Sequence, residues 1–413
     1  MRCVHILQCA VDENLRAVHA RRLEAVWLTV TALITGGRCC LSALGRALPA
    51  STTEKHRIKA VDRLLGNQAL HDEINLFYRA IAQLLLKNVR TPIIAVDWTE
   101  AGPYHDELSA KICSDGRALP LLSLVVPKNE YVRCDVHSQL LFQLSTILPP
   151  HCKPIFLTDA GFHYNWFSEV ERYNWHYIGR VRGNHYIVVG DRRLTLKQVH
   201  RHAGSAIRDL GPALVSMKQQ RVERLVLSSY PKTRGRKRRG RSGKIRRAGA
   251  DRQNAKSARE PWVLATSLTG PAPDIVQAYG LRMQIEQSFR DRKNPRHGWA
   301  MRQAATRSAE RMAVLLLIAS LADLSVQLEG RATVVTEMRA GFQANTTTTR
   351  RVLSYLFLGC RVCRAGIMHT ASQLQAAMQS LLMTIRTNAQ PFVTHLTRHK
   401  RLRAISALPP VVL

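Results

Sequence analysis

An α/β core held between two helical regions is the architecture that this 413-residue sequence predicts. Helical periodicity fills residues 13 to 88, strand-like runs follow from 91 to about 270, and helical periodicity returns from Ile275 onward. A hydrophobic share of 46% beside 22% charged residues marks a folded chain rather than a disordered basic tail. The length suits two or three domains with a sizeable core, and no internal repeat divides it.

The first helical region breaks at Gly36-Gly37, Pro49 and Gly66-Asn67. A short helix is expected around Leu41 to Leu48, and Ser51 with Glu54 has capping-box spacing for a second. In that second helix Ile58, Val61, Leu64 and Leu65 form the stripe to be buried, while Lys55, Arg57, Lys59 and Arg63 stay largely outside it. Residues 1–88 therefore suit a small helical unit that reads DNA. A solvated basic face is the plainer alternative.

Strands are predicted at Pro92 to Val96, Leu121 to Val126, Pro154 to Thr158, Tyr177 to Arg182, Tyr186 to Val189, Arg224 to Ser228 and Trp262 to Thr266. Between the last two lies Lys232 to Arg259, 28 residues with 13 Lys/Arg and one acid, Asp251. That run carries +12 of the chain's +32. It is too poor in apolar residues to pack and too self-repelling to be regular, so it predicts a mobile phosphate-gripping loop around Arg236, Lys237, Arg238 and Arg239. A solvated linker is the other reading.

After the strands, Pro273-Asp274 predicts a cap and Asn294-Pro295 a stop, giving a helix from Ile275 to Lys293 about 28 Å long. On it Tyr279, Arg282, Glu286 and Lys293 fall within an arc of about 60°. Ala278, Leu281, Ile285 and Phe289 form the neighbouring apolar stripe. Met312 to Ala322 is an apolar-and-small run of eleven residues closed by Asp323, shorter than the roughly 20 that span a bilayer, and predicts a buried helix. The region 331–413 is helical. Its segment Ala371 to Ile385 has an apolar face suited either to a second copy or to the monomer core.

With 61 Lys+Arg against 29 Asp+Glu, the chain calls for a polyanionic partner, because neutralising phosphates releases condensed counterions. An ordinary small-metabolite enzyme is excluded as the default. Nine scattered cysteines make no disulfide framework and fit a reducing compartment. Cys360 and Cys363 lack a second pair at zinc spacing, so they predict helix packing and no zinc. Met1-Arg2-Cys3-Val4-His5 opens no signal peptide, so the expected location is the cytoplasm, with no membrane partner.

Two of the predicted strands end alike, Ile93-Ile94-Ala95-Val96-Asp97 and Ile155-Phe156-Leu157-Thr158-Asp159. As neighbours in a central sheet they would bring two carboxylates to one edge, where the charges repel unless a cation lies between them. Alone, each Asp reads as a turn or cap. Glu286, at the margin of the apolar stripe, can supply the third acid; alone, it reads as an i,i+4 partner of Arg282 on a solvated face.

Asp97, Asp159 and Glu286, with the spacing Tyr279-(2)-Arg282-(3)-Glu286-(6)-Lys293, resemble the DDE transposases of the bacterial insertion sequence four family and their YREK signature. Val96-Asp97-Trp98, Thr158-Asp159-Ala160-Gly161-Phe162, Arg180-Val181-Arg182-Gly183, Glu260 to Thr266, Arg282 to Glu286 and Ile58 to Asn67 are most similar to its insertion sequence ten branch. The resemblance covers nearly the whole chain. It implies a ribonuclease-H-like core over 89–330, with the first Asp on the first strand, the second after the fourth and the Glu on a later helix. The 127 residues from Asp159 to Glu286 fit the family's β-rich insertion, here about 163–270. Density of Arg and Lys in its loop is a departure from the family.

Three carboxylates without His or Cys favour hard cations, so two Mg²⁺ ions, or Mn²⁺ in their place, are expected at Asp97, Asp159 and Glu286. Water and then a liberated 3′-hydroxyl would attack phosphodiesters, with no covalent protein–DNA intermediate. Arg282, Lys293 and Tyr279 are expected to hold phosphates. The resemblance implies that Trp262 and Met283 accommodate a flipped base, with core packing as the alternative. Double-stranded DNA and a homodimer on paired ends are the expected partners. The rivals are a silent basic DNA-binding regulator and a ribonuclease-H-like nuclease or resolvase that cuts without joining.

Overall fold

The computed structural model describes residues 1–130, 133–183, 186–215, 220–229, 260–344 and 350–406, with side chains described as far as residue 393. In chain order, helices α1 (Arg2–Val11), α2 (Ala20–Gly36), α3 (Leu41–Ala47), α4 (Glu54–Leu65) and α5 (Gln68–Leu86) lead to strands β1 (Ile93–Ala101), β2 (His105–Ile112) and β3 (Leu119–Pro127). Then come α6 (Cys134–Ile147), β4 (Ile155–Thr158), α7 (Tyr164–Arg172), β5 (His176–Val181), β6 (Tyr186–Val189), β7 (Arg192–Thr195), α8 (Leu196–Arg201), β8 (Arg208–Val215), β9 (Gln220–Leu227) and β10 (Val263–Thr266). The chain continues with α9 (Ala272–Gly280), α10 (Met283–Lys293), α11 (Ala309–Val335), α12 (Tyr355–Arg364) and α13 (Ala371–Ser406). The expected α/β composition is present, with helices before and after the strands.

Contacts divide the chain into one unit of Met1–Pro154 with Leu281–Gln390 and another of Ile155–Gly280 with Pro391–Leu413. In the first, β2 lies between β3 and β1, antiparallel to both, and Asp97 on β1 faces Ser109 on β2. In the second, the strand order is β4-β5-β10-β9-β8-β6-β7, with β4 and β5 parallel and the other pairs antiparallel.

All seven predicted strands form. Three others, β2, β7 and β8, carry no hydropathy signal. Strand β2 reads His-Asp-Glu-Leu-Ser-Ala-Lys-Ile, yet all eight residues are buried: Glu107 pairs with Arg292, while Lys111 lies over the Phe289 ring without a hydrogen-bond partner. Strand β8 contains Gly211 at φ 70° and Pro212 and shifts register on both sides of Gly211, bulges that break period-2 alternation.

Two helix starts differ from expectation. Helix α4 begins at Glu54 after Thr53 without a side-chain cap, and Glu54 instead accepts from Arg46 at 2.8 Å. The continuous helix from Ile275 to Lys293 does not form: α9 ends at Gly280, a poor helix former, and α10 starts at Met283. The 60° arc therefore does not exist as one rigid rod, and Tyr279 belongs to a different unit from Glu286.

The run Met312–Ala322 lies inside α11, which extends well beyond it to 27 residues and is long and apolar enough to cross a membrane. It is a core helix of the first unit, with 94% of its most apolar window buried. Its charged residues are partnered: Asp323 by Arg292, Glu329 by His369 at 3.0 Å, and Arg331 by the ring of Tyr355. Leu374, Ala377, Leu381 and Ile385 of α13 are buried too, so that apolar face serves the monomer core.

Candidate active site

Strand β1 is apolar and fully buried from Ile93 to Val96 and becomes half-exposed at Asp97, where it leaves the core. The strand runs on to Ala101, so Asp97 sits mid-strand rather than at the end that the sequence suggested. Its Oδ1 accepts the backbone N–H of Trp98 at 2.9 Å, and its Oδ2 accepts from Arg282 at 3.3 Å. The same guanidinium donates to Glu286 Oε1 at 2.6 Å. One cation thus holds together two carboxylates, from β1 and α10, that are 189 residues apart in sequence. Asp97 and Glu286 are 16% and 32% exposed, so solvent and ligands reach them.

Helix α10 is set against the β2–β3 hairpin mainly by polar groups. Gln284 accepts from the backbone N–H of Ser114 at 2.8 Å and donates to its carbonyl at 3.0 Å. Ser288 donates to the carbonyl of Ala118 at 2.9 Å, and Asp291 accepts from Arg117 at 2.5 Å. Arg292, 2% exposed, donates to Glu107 of β2 at 3.0 Å and to Asp323 of α11 at 3.2 Å. Burial works against the Arg292 charge, but Glu107 and Asp323 raise its pKa on balance. Of the predicted apolar stripe, Ile285 and Phe289 are buried on this helix, Ala278 is buried on α9, and Leu281 lies in the break. Positions 284, 288, 291 and 292 repeat at helical spacing, a second stripe that the hydropathy pattern does not mark because it is polar.

Lys293 lines a cavity of about 490 Å³ with Trp98, Thr99, Glu100, Asp106 and Lys128. Burial lowers the pKa of Lys293 and raises that of Asp106. Trp98, next to the catalytic candidate, donates its indole N–H to His137 Nε2 at 3.1 Å. Met283 is 43% exposed, with its sulfur 3.6 Å from Arg282.

In the second unit, Asp159 follows β4 directly, as the sequence suggested, and its Oδ1 accepts the N–H of Gly161 at 2.8 Å. Tyr279 is 3% exposed and meets Trp262 edge-on at 5.0 Å between ring centroids. Trp262 thus has the kind of packing contact that is the alternative to its ligand role.

On α4, Lys55, Lys59 and Arg63 are exposed, whereas Arg57 is half-buried and donates to the carbonyl of Leu48 at 3.3 Å. Arg236, Lys237, Arg238 and Arg239 lie outside the described residues.

Among the described residues, no group of three or more His, Cys, Asp or Glu side chains is arranged to hold a metal. The chemistry of the Asp97–Glu286 pair nonetheless suits a hard divalent cation: its donors are carboxylate oxygens, and both already take a positive charge from Arg282. Residues 90–322, more than half of the chain, match the family described as "Transposase DDE domain". No curated protein matches the chain.

Proposed function

The chain belongs to the DDE-domain transposase family, and on that premise we propose that it excises and inserts a DNA element by cutting and rejoining phosphodiesters. The observation that carries the reading is the meeting of Asp97 and Glu286 on one guanidinium, inside the matched segment. We place the chain in the insertion sequence four family, insertion sequence ten branch, with Tyr279, Arg282, Glu286 and Lys293 as its signature, and we read its core as ribonuclease-H-like.

Asp97, Asp159 and Glu286 take the metal-holding role, for two Mg²⁺ or Mn²⁺ ions. When bound, such ions stabilise the attacking and leaving oxygens of an in-line displacement. Arg282 carries a cation that can pass from the carboxylates to a DNA phosphate, and Lys293 supplies a second. Tyr279 hydrogen-bonds to a phosphate, and Trp262 and Met283 give apolar surface to an unstacked base. Water attacks first and frees a 3′-hydroxyl, which then attacks the opposite strand or the target.

Helices of residues 1–88, with Lys55, Arg57, Lys59 and Arg63, bind the terminal inverted repeats, and the loop around Arg236 to Arg239 adds phosphate contacts. Residues 89–330 form the catalytic domain, with its insertion at about 163–270, and 331–413 the C-terminal helical region. Two copies act on paired ends in the cytoplasm.

Incubating the protein and Glu286→Ala with Mg²⁺ and DNA bearing the element's ends tests this. End cleavage and joining by the parent are expected, with a loss of about 10³-fold or more in the variant, whose DNA binding persists. Binding without cleavage by the parent would identify a silent regulator, and cleavage without joining a nuclease. Equal cleavage by both proteins removes Glu286 from the mechanism.

A further inference from the structure

Within the first unit, the turn after α10 and the last turns of α12 enclose a cavity of about 360 Å³, lined by Arg296, His297, Phe357, Cys360, Arg361 and Arg364. Three guanidiniums and an imidazole line it, and no carboxylate does. Arg282, Arg292 and Arg117 on or near α10 all sit in ion pairs. The side chains of Arg296, Arg361 and Arg364 enter no ion pair among the described residues.

The walls of this cavity are fixed. Phe357, Arg361 and Arg364 fall at i, i+4 and i+7 on one face of α12. That helix lies directly on the backbone of α11: a Cβ added at Gly359 would stand 1.8 Å from the carbonyl oxygen of Val326. The facing turn is tied by Asn294 Oδ1, which accepts the backbone N–H groups of Arg296 at 2.8 Å and His297 at 3.1 Å. Its Gly298 lies so close to Asp291 that a Cβ there would fall 1.5 Å from the carbonyl oxygen. The His297 ring meets Phe357 edge-on at 4.9 Å, and the Arg361 guanidinium lies 5.9 Å from the Phe357 ring. Such a frame fixes the backbone from which the three arginines project before a ligand arrives, which lowers the ordering cost of binding.

Arginines in the last turn of a helix are also favoured by its dipole. The dipole explains Arg361 and Arg364 but gives no reason for Arg296 and His297 to come from another element to the same acid-free cavity.

We propose that this cavity grips one phosphodiester of the DNA backbone, independently of base sequence, as an anchor apart from the carboxylates. Arg296, Arg361 and Arg364 donate charge-assisted hydrogen bonds to the phosphate oxygens, and Phe357 packs on the adjoining sugar. The assignment rests on the DNA reading above and adds a contact to it. Seven helical steps and three extended ones separate Glu286 from Arg296, so their Cα atoms lie within about 21 Å of each other, and the reach of the two side chains adds about 10 Å to the distance between anchor and cut. At 3.4 Å per step of duplex, the gripped phosphate is within about nine base pairs of the cleaved bond.

The experiment compares the parent, R361A/R364A and a control of equal charge loss, R90A/R172A, whose residues are exposed, lie outside residues 1–88 and line no part of the cavity. Duplex affinity is measured across a salt series, and thermal melts check folding. The cavity variant is expected to bind about tenfold more weakly, and the slope of log K against log[salt] to fall by about 0.9, the amount for one phosphate. A neutral methylphosphonate walked through those positions should weaken the parent at one of them and leave the cavity variant unaffected there.

An unchanged slope, or a loss no greater than in R90A/R172A, overturns the proposal. So does a cavity whose substitution abolishes stabilisation by inorganic phosphate while duplex binding is unaltered, which would make it a site for free phosphate. A parent that binds no duplex defeats this anchor together with the DNA reading, whereas normal binding by every variant defeats the anchor alone.

Discussion

Two arginines ten residues apart each bridge a pair of carboxylates, and the two clusters have opposite character. Arg282 joins Asp97 and Glu286 where the three side chains are 12%, 16% and 32% exposed. Arg292 joins Glu107 and Asp323 at 2%, 1% and 5%. Ser123 and Trp299 add hydrogen bonds to Glu107 and Asp323, so the buried acids are closed off by protein groups. The chemistry is the same in both; access decides its use. A sealed ion cluster fixes the rotation and height of α10, whereas an open one leaves two carboxylates and a cation available to a ligand.

The sharpest break of that comparison is Arg292→Ala. It strands two acids in the interior, and a cost of about 3–5 kcal/mol is expected in urea unfolding. Because Arg292 shares a helix with Glu286, cleavage should also fall in molecules that remain folded. Arg292→Lys keeps the charge but not the fork that reaches both acids, so it should recover only part of the stability. A loss below about 1 kcal/mol for Arg292→Ala would show that the buried cluster does not hold the helix.

The open cluster should respond the other way. Arg282→Ala leaves Asp97 and Glu286 near water, so the expected change in stability is within about 1 kcal/mol. Cleavage should drop about tenfold or more as a phosphate contact is lost. Divalent cations should raise the melting temperature of this variant more than that of the parent, since the carboxylates then lack their protein counter-charge. A stability loss as large as that of Arg292→Ala would erase the distinction between the clusters.

The sequence reveals the open cluster better than the sealed one. Asp97 and Glu286 stand out because isolated acids in a basic chain follow an apolar strand or share a helix with spaced cations. Gln284, Ser288 and Arg292 form an equally regular stripe, but a polar stripe reads as solvent-facing unless its partners are known, and those come from the β2–β3 hairpin and α11. Strand β2 is hidden for the same reason: Glu107 and Lys111 look exposed until Arg292 and Phe289 are placed beside them. The break between α9 and α10 turns on two residues after Gly280, finer than periodicity resolves. Adding Tyr279 to the stripe required the unbroken helix that the chain does not make.

Lys111 offers the finest test of the sealed region. It is fully buried on β2, its Nζ has no hydrogen-bond partner, and it lies 5.1 Å from the centre of the Phe289 ring. Burial, with help from Arg292, pulls its pKa down to about 8 from 10.5, against the opposing pull of Glu107, Asp323 and Asp291. Below pH 8 the lysine is charged in both states, and the native state carries the penalty of an unsolvated cation. Between about 8 and 10.5 the unfolded chain keeps a proton that the native chain has released, so this group makes stability rise with pH. The full relief is on the order of 3 kcal/mol. Buried Cys113 and Tyr78, both pushed up to about 12, pull the opposite way in alkali, so the informative quantity is the difference from Lys111→Met. Unfolding free energies at pH 7.5, 9 and 10 should show the variant more stable than the parent at the lowest pH and the gap narrowing as pH rises. A gap that stays constant over that range would mean that Lys111 keeps its proton in the native state throughout, so that burial does not lower its pKa.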